Sequence, residues 1–317
     1  MNLRIGSRGS QLALWQANHV AALLREHGHT VEIEIIKTTG DRLQEVTFAQ
    51  VGSKGMFTKE IEEALAEGRV DLAVHSLKDL PTELPAPFTL AATPPRVDPR
   101  DVLVSVKYRS LDALPHGAVV GTSSQRRRAQ LIALRPDIEA VEFRGNVDTR
   151  LRKLSEGQVD AILLAAAGLD RLEKTEWIRE RLEPNQFCPA AGQGSLGIET
   201  RMDDAETIAA IAFLDDAATR FAVTAERAAL AALGGGCQVP IGIHCRRVPQ
   251  DRTGEGVEIF GVVADPATGK AIRVQHQARR TDVGPSALGR FVAEKLLEAG
   301  AGPLLEAAAQ PPAGASA

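Results

Sequence analysis

Two stretches of this chain spell the same order of strands and helices, and that duplication restricts its fold more than any other feature. LRIGS (3–7) reads as a strand, QLALWQANHVAALLREHG (11–28) as an amphipathic helix and VEIEIIK (31–37) as a strand; TKEIEEALAEG (58–68) is a second helix and VDLAVHS (70–76) a third strand. AVVGTS (118–123), QRRRAQLIAL (125–134), IEAVEFR (138–144), VDTRLRKLSEG (147–157) and VDAILLA (159–165) return in the same order. The junctions share letters, Glu67-Gly68-Arg69-Val70-Asp71 against Glu156-Gly157-Gln158-Val159-Asp160. Gly28, Gly68 and Gly157 close three of the four helices, because glycine takes the left-handed cap without strain, and an apolar strand follows. The pattern predicts two similar α/β lobes.

Between them LPTELPAPFTLAATPPRVDPRD (80–101) is dense in proline and reads as a crossing from one lobe to the other. The last third differs: TRFAVTAERAALAALGG (219–235) is an Ala-rich helix, IGIHCRR (241–247) and 256–280 are antiparallel strands turning at Asp265 to Gly269, and SALGRFVAEKLLEAG (286–300) is a closing helix. The expected domains are 1–96 with 196–214 returning to it, 101–192, and a small α+β unit at 217–308, with 309–317 a disordered tail. Two open α/β lobes side by side form a cleft, and ligands of such sheets bind at the carboxyl ends of the strands.

Composition excludes several function classes. In 317 residues the net charge is -4, which argues against a general nucleic-acid binder. No apolar run reaches the roughly 20 residues of a bilayer helix, and MNLRIGSRGS has no apolar core of a secretory signal, so no membrane partner and a cytoplasmic location are expected. Cys188, Cys237 and Cys245 are too few for a disulfide framework and have no zinc spacing, so no metal is expected.

Basic residues are instead bunched where strands end. Ser7, Arg8 and Ser10 follow the first strand; Thr122, Ser123, Ser124 and Arg126-Arg127-Arg128 follow the strand at 118; Arg144-Gly145-Asn146 and then Arg150 follow the strand at 138. Hydroxyls and guanidinium forks beside helix N-termini suit a compact anion, although the same hydroxyls also serve as helix caps. VHSLKDLP (74–81) presents His75, Ser76, Lys78 and Asp79 together. In an extended chain neighbouring residues face opposite ways, so Asp79 is read as aimed into a basic cleft, where a carboxylate can stabilise positive charge or move a proton, and His75 as structural. GQGSLG (192–197), which includes Gln193, matches GxGxxG, but CPAA precedes it and the strand-like LGIET follows, so it reads as a return crossing and not a nucleotide loop. ALGGGCQVPIG (232–242) sets Cys237 on a glycine-rich loop, away from the packed elements where a cysteine serves as a small hydrophobe.

Taken in order, GSRGSQLALWQ, VGSKGMFTKE, DLAVHSLKDLPT, DPRDVLVS, VGTSSQRRRAQL, FRGNVDTRLRKL, ILLAAAGLDRL, AAGQGSLGIE, AERA and GGGCQVPIG closely resemble the hydroxymethylbilane synthase (porphobilinogen deaminase) family over nearly the whole chain. The resemblance implies lobes like those of type II periplasmic binding proteins, and an enzyme that joins four porphobilinogen molecules head to tail with loss of ammonia. Water then releases the linear tetrapyrrole. It implies a dipyrromethane primer held by a thioether to Cys237, Asp79 as the catalytic carboxylate, and a monomer. Arg8, Ser10, Lys54, Ser76, Lys78, Thr122, Ser123, Ser124, Arg126, Arg127, Arg144, Gly145, Arg150, Arg171 and Gln193 would hold primer and substrate, whose acetate and propionate groups explain local arginines in an acidic chain.

Three residues depart from the family's pattern: Gln50 stands for a lysine, Gln125 for a leucine, and Gly234 for a glutamate whose loss is expected to loosen the cysteine loop. The alternative is a non-catalytic two-lobed anion-binding protein, in which the pair of Asp79 and Cys237 would have no purpose.

Overall fold

A computed structural model of the chain describes residues 1–39, 58–235, 239–249 and 255–309. Both duplicated stretches fold into mixed five-stranded sheets. In the first, β1 (Asn2–Ser7), β2 (Thr30–Ile35) and β3 (Leu72–Ser76) are parallel, and β4 (Phe88–Ala92) lies at the edge. In the second, β5 (Asp101–Val104) pairs antiparallel with both β8 (Ala161–Ala165) and β9 (Ile178–Leu182), while β6 (Val119–Gly121) and β7 (Glu139–Val141) run parallel to β8. A late strand, β10 (Leu196–Arg201), returns to the first sheet between β3 and β4, antiparallel to both. The orders β2-β1-β3-β10-β4 and β7-β6-β8-β5-β9 are therefore equivalent strand for strand.

The prolyl segment 80–101 is not only a crossing. It contains β4, and its end begins β5. Phe88-Thr-Leu-Ala-Ala92 is apolar enough to join a sheet, and the prolines at 87, 94 and 95 are tolerated because β4 is an edge strand with one side free of ladder bonds.

Local chemistry explains the helices. α1 (Gln11–Glu26) is capped by Ser10, whose side chain accepts from the Ala13 N–H, and it buries Gln16, Ala17, Val20, Ala21 and Leu24 along one face. That face packs on Leu3, Ile5, Leu72, Val74 and the returning Ile198, so the first core closes only when β10 arrives. α2 (Lys59–Ala66) completes this lobe; α3 (Gln125–Leu134), α4 (Val147–Ser155) and the short α5 (Ala166–Arg171) belong to the second. After β10 come α6 (Ala205–Ile211) and α7 (Ala217–Ala232). α7 packs with α8 (Pro285–Glu298) on an antiparallel sheet of β11 (Ile241–Pro249), β12 (Glu255–Ala264) and β13 (Ala271–Arg279), and α9 (Gly302–Ala309) follows.

This third unit touches both lobes. Val223 of α7 packs against Leu77 and Leu80 of the first lobe, while Phe260 and Val262 of β12 pack against Ala129 and Cys188 on the side of the second.

Candidate functional site

At the end of β3 the chain makes one 3-10 turn, Leu77–Asp79. Leu77 is buried, and its N–H donates to the Ser195 carbonyl at 3.0 Å, which pins the turn between β3 and the return crossing. Lys78 and Asp79 are thus not in extended chain, and the alternation expected for residues 78 and 79 does not apply. The turn places Lys78 in the wall of a cavity and leaves Asp79 exposed, with its charge acting on both Lys78 and Arg127.

Three helix N-termini of the two lobes meet this space. Leu12 of α1, Arg127 of α3 and Val147 of α4 all lie in first turns, and all line a cavity of about 120 Å³. The caps are built from the expected hydroxyls and an amide: Ser124 Oγ accepts from the Arg127 N–H, Thr122 Oγ1 accepts from the Ser124 N–H at 3.2 Å, and Asn146 Oδ1 accepts from the Thr149 N–H at 2.9 Å. Gly145 precedes the last cap at φ 122, and a Cβ there would lie 2.7 Å from Thr149 Cγ2, so only glycine fits.

Of the residues expected to bind the anion, Ser76, Lys78, Arg127, Arg150, Arg171 and Gln193 line the cavity. Arg150 Nη2 donates to Ser123 Oγ at 3.3 Å, and Arg171 Nη2 donates to the Gly194 carbonyl at 2.9 Å with its guanidinium 5.8 Å from the Trp15 ring. Gln193 bridges the lobes: its Nε2 donates to the Pro99 carbonyl at 2.7 Å, and its Oε1 accepts from Lys78 Nζ at 3.5 Å. Among the described residues no Asp or Glu is in the lining. Four cations therefore share a small space, and their acidities show it. Burial pushes the Lys78 ammonium down to about 8 against the pull of Asp79, and burial brings the Arg150 and Arg171 guanidiniums down to about 10.

The other expected residues stand outside the lining. Arg126 is buried, with both terminal nitrogens on Asp101 at 2.6 and 3.1 Å and Nη1 also on the Cys188 carbonyl. Arg144 Nε donates to Glu142 Oε1 at 2.5 Å. Arg8 is half-buried just beyond β1, and Ser10 serves as the cap of α1. Lys54, Gln50 and Cys237 lie outside the described residues. His75, read as structural, sits buried with Nε2 2.9 Å from Glu199.

Sequence reasoning missed Asp101 and Ser195. Asp101 is fully buried and accepts from Arg126, Arg127 and Gln193. Burial alone would push the pKa of this carboxyl up, but Arg126 and Arg127 overcome this and hold it well below its usual range. The signal was available, because adjacent buried arginines need a buried acid. Ser195 carried no comparable signal.

Of the glycine run before Cys237, Gly234 and Gly235 are among the described residues. Gly234 sits at φ 67 just past the end of α7, its N–H donating to the Ala231 carbonyl, with open space where a Cβ would be. Glycine here ends the helix without strain, while the cysteine loop expected to loosen lies outside the described residues.

Arg150 Nε, Arg171 Nε and Ser195 Oγ are buried with no hydrogen-bond partner among the described residues. An acidic ligand would satisfy such donors and balance the charge, which is what a group bearing several carboxylates offers. Comparison with known proteins agrees with this chemistry. The family described as "Porphobilinogen deaminase, dipyromethane cofactor binding domain" matches residues 3–209, and "Porphobilinogen deaminase, C-terminal domain" matches 220–298. This chain belongs to the porphobilinogen deaminase family. Porphobilinogen deaminases of similar sequence include that of Nitratidesulfovibrio vulgaris strain DP4, 50% identical over 312 residues and 96% of each chain. That of Roseiflexus castenholzii is 50% identical over 306 residues, 96% of this chain and 98% of the other. The cavity, with all its lining residues, falls within the part matched to the dipyrromethane cofactor binding domain.

Among solved structures, the methionine binding protein MetQ is 14% identical, covers 67% of this chain and 89% of its own, and has a TM-score of 0.44; the L-cystine solute receptor of Neisseria gonorrhoeae is 15% identical over 67% and 84%, with a TM-score of 0.37. The two-lobed α/β description of this porphobilinogen deaminase family member rests on its strand orders, not on these likenesses. Among the described residues no helix is long and apolar enough to cross a membrane, and no group of His, Cys, Asp and Glu is arranged to hold a metal.

Proposed function

We propose that this chain is a hydroxymethylbilane synthase: a transferase that joins four porphobilinogen molecules head to tail on a dipyrromethane primer and then releases the product with water. The observation that carries this is the cavity with four cations and, among the described residues, no acid in its wall, next to the exposed carboxylate of Asp79. We further propose that the units 1–96 with 196–214, 101–192 and 217–308 are its domains, and that it works as a cytoplasmic monomer, as the family resemblance implies.

Lys78, Arg127, Arg150, Arg171 and Ser195 would hold the carboxylates of primer and substrate, with Cys237 as covalent anchor. When bound, the dipyrromethane supplies the pyrrole end that is extended. The substrate's protonated aminomethyl group leaves as ammonia, taking the electrons of its C–N bond, and the pyrrole nitrogen shares the positive charge left on the methylene carbon. Asp79 stabilises that charge and accepts a hydrogen bond from the ring N–H. Once the new C–C bond forms, the proton displaced from the attacked α-carbon goes to the same carboxylate. The cationic wall orients the substrate's acid groups away from the reacting carbon.

The test is intact mass with a turnover assay. The purified protein should exceed its sequence mass by two linked pyrrole units, and Cys237→Ala should lack the excess. An unmodified wild type that consumes no porphobilinogen after preincubation with it would sink the proposal.

A further inference from the structure

The Asp79 turn is held from behind by the third unit. Immediately after Asp79, the carbonyls of Leu80, Pro81 and Thr82 converge on one guanidinium: Arg227 Nη1 donates to Leu80 O at 3.4 Å, and Nη2 donates to Pro81 O at 2.6 Å and to Thr82 O at 3.0 Å. These three residues lie outside every helix and strand, so their carbonyls have no ladder to satisfy them. Arg227 lies on α7, the helix whose end leads to Gly234, Gly235 and then Cys237. Its neighbour Glu226 accepts from the Gly192 N–H at 2.7 Å, so adjacent side chains of one helical turn grip the loop after Asp79 and the return crossing behind Lys78. Val223, one turn earlier on α7, packs against Leu77 and Leu80 on either side of the same turn.

We propose that Arg227 is a positioning residue for the reaction, fixing the Asp79 carboxylate relative to the helix that leads to the primer's cysteine. The inference rests on the function proposed above. Three carbonyls on one planar fork set a direction as well as a distance, which an ammonium cannot do, because it offers a point charge on a flexible stem. Misplacement of a reacting group by about 1 Å costs roughly a hundredfold in rate. Arg227 holds the backbone behind the turn and is not in the cavity lining, so its loss should slow the chemistry without weakening the hold on substrate carboxylates.

The experiment measures single-turnover porphobilinogen addition on holoprotein separated from any apoprotein, for wild type, Arg227→Gln and Arg227→Lys. Both variants should show the primer by intact mass and a porphobilinogen KM within about twofold of wild type, with the rate falling roughly 10- to 100-fold for glutamine and less for lysine. An unchanged rate, or a loss that appears in KM, overturns the role. Failure of both variants to fold or to load would make Arg227 a structural residue and overturn it equally. A wild type that carries no primer and consumes no porphobilinogen would instead refute the underlying function, so the two failures are distinguishable.

Discussion

The two lobes are built on one plan and differ where the chemistry is. Ile5 pairs with Leu72 in the first sheet, and Val120 pairs with Ala161 in the second, so Ser76 at the end of β3 corresponds to Ala165 at the end of β8. Two residues further on, Lys78 corresponds to Ala167, and Asp79 corresponds to Gly168. The first lobe thus offers an ammonium and a carboxylate where the second offers a methyl group and a hydrogen, and Ala167 and Gly168 line the cavity. The arginines of the wall, Arg127, Arg150 and Arg171, all come from the second lobe. Duplication supplied two equivalent strand ends; their division into a reacting side and a gripping side is a matter of a few side chains.

That division is broken most severely by Asp79→Asn, which removes the carboxylate from the first lobe and leaves the second intact. Ammonia release should fall by roughly 10²- to 10⁴-fold, the range of a general acid–base group, while the far-ultraviolet spectrum and unfolding midpoint stay at wild-type values. A variant turning over near the wild-type rate would place the chemistry elsewhere. Within the second lobe, Arg126→Leu and Arg150→Leu should part company. Removing Arg126 strips Asp101 of its two-nitrogen partner inside the protein, and stability measured by denaturant unfolding should drop by about 3 kcal/mol. Removing Arg150, a cation whose buried Nε has no partner among the described residues, should leave stability unchanged or slightly raised while primer loading or the porphobilinogen KM worsens by roughly 10- to 100-fold. Equal destabilisation by both would erase the distinction drawn between the buried pair and the cavity wall.

How much of this was legible beforehand follows from the range of each interaction. The lobes and the third unit were readable because periodicity and capping are local in sequence, and strand-end polarity with the family resemblance pointed to six of the fifteen lining residues. β4 was hidden in a proline-rich segment, since an edge strand tolerates the residues that usually signal a loop, and β5 is a four-residue interior strand that starts at the last residue of that segment. The 3-10 turn at Lys78 and Asp79 depends on Leu77 meeting Ser195 and Val223, contacts more than a hundred residues away along the chain. The same holds for Arg126: letters alone grouped it with Arg127 as a ligand-binding residue, and only the place of Asp101 shows that its nitrogens are taken. A motif records which residues are present, whereas their partners are fixed by the return of distant chain.

Lys78 gives the subtlest test, being the first lobe's one cation in the wall among the described residues. Its ammonium titrates at about 8 in the folded chain against 10.5 ordinarily, mainly because burial disfavours the charge. Carboxylates are held by the protonated form, so affinity for porphobilinogen should be level below pH 8 and weaken above it, with KM rising by at most tenfold per pH unit for one proton. Stability should move the opposite way. Between about pH 8 and 10.5 the unfolded chain binds more protons at this position than the folded one, so the Lys78 contribution to folding improves as pH rises. Lys78→Met removes both trends: its KM should be higher at neutral pH but flat to pH 9.5, and the stability difference from wild type should shrink over the same range. Arg150 and Arg171, lowered only to about 10, stay mostly charged up to pH 9.5, so the second lobe's grip changes far less than that of Lys78 over that range. A wild-type KM that does not change between pH 7 and 9.5 would mean that Lys78 takes no part in holding carboxylates and that the grip belongs to the second lobe alone.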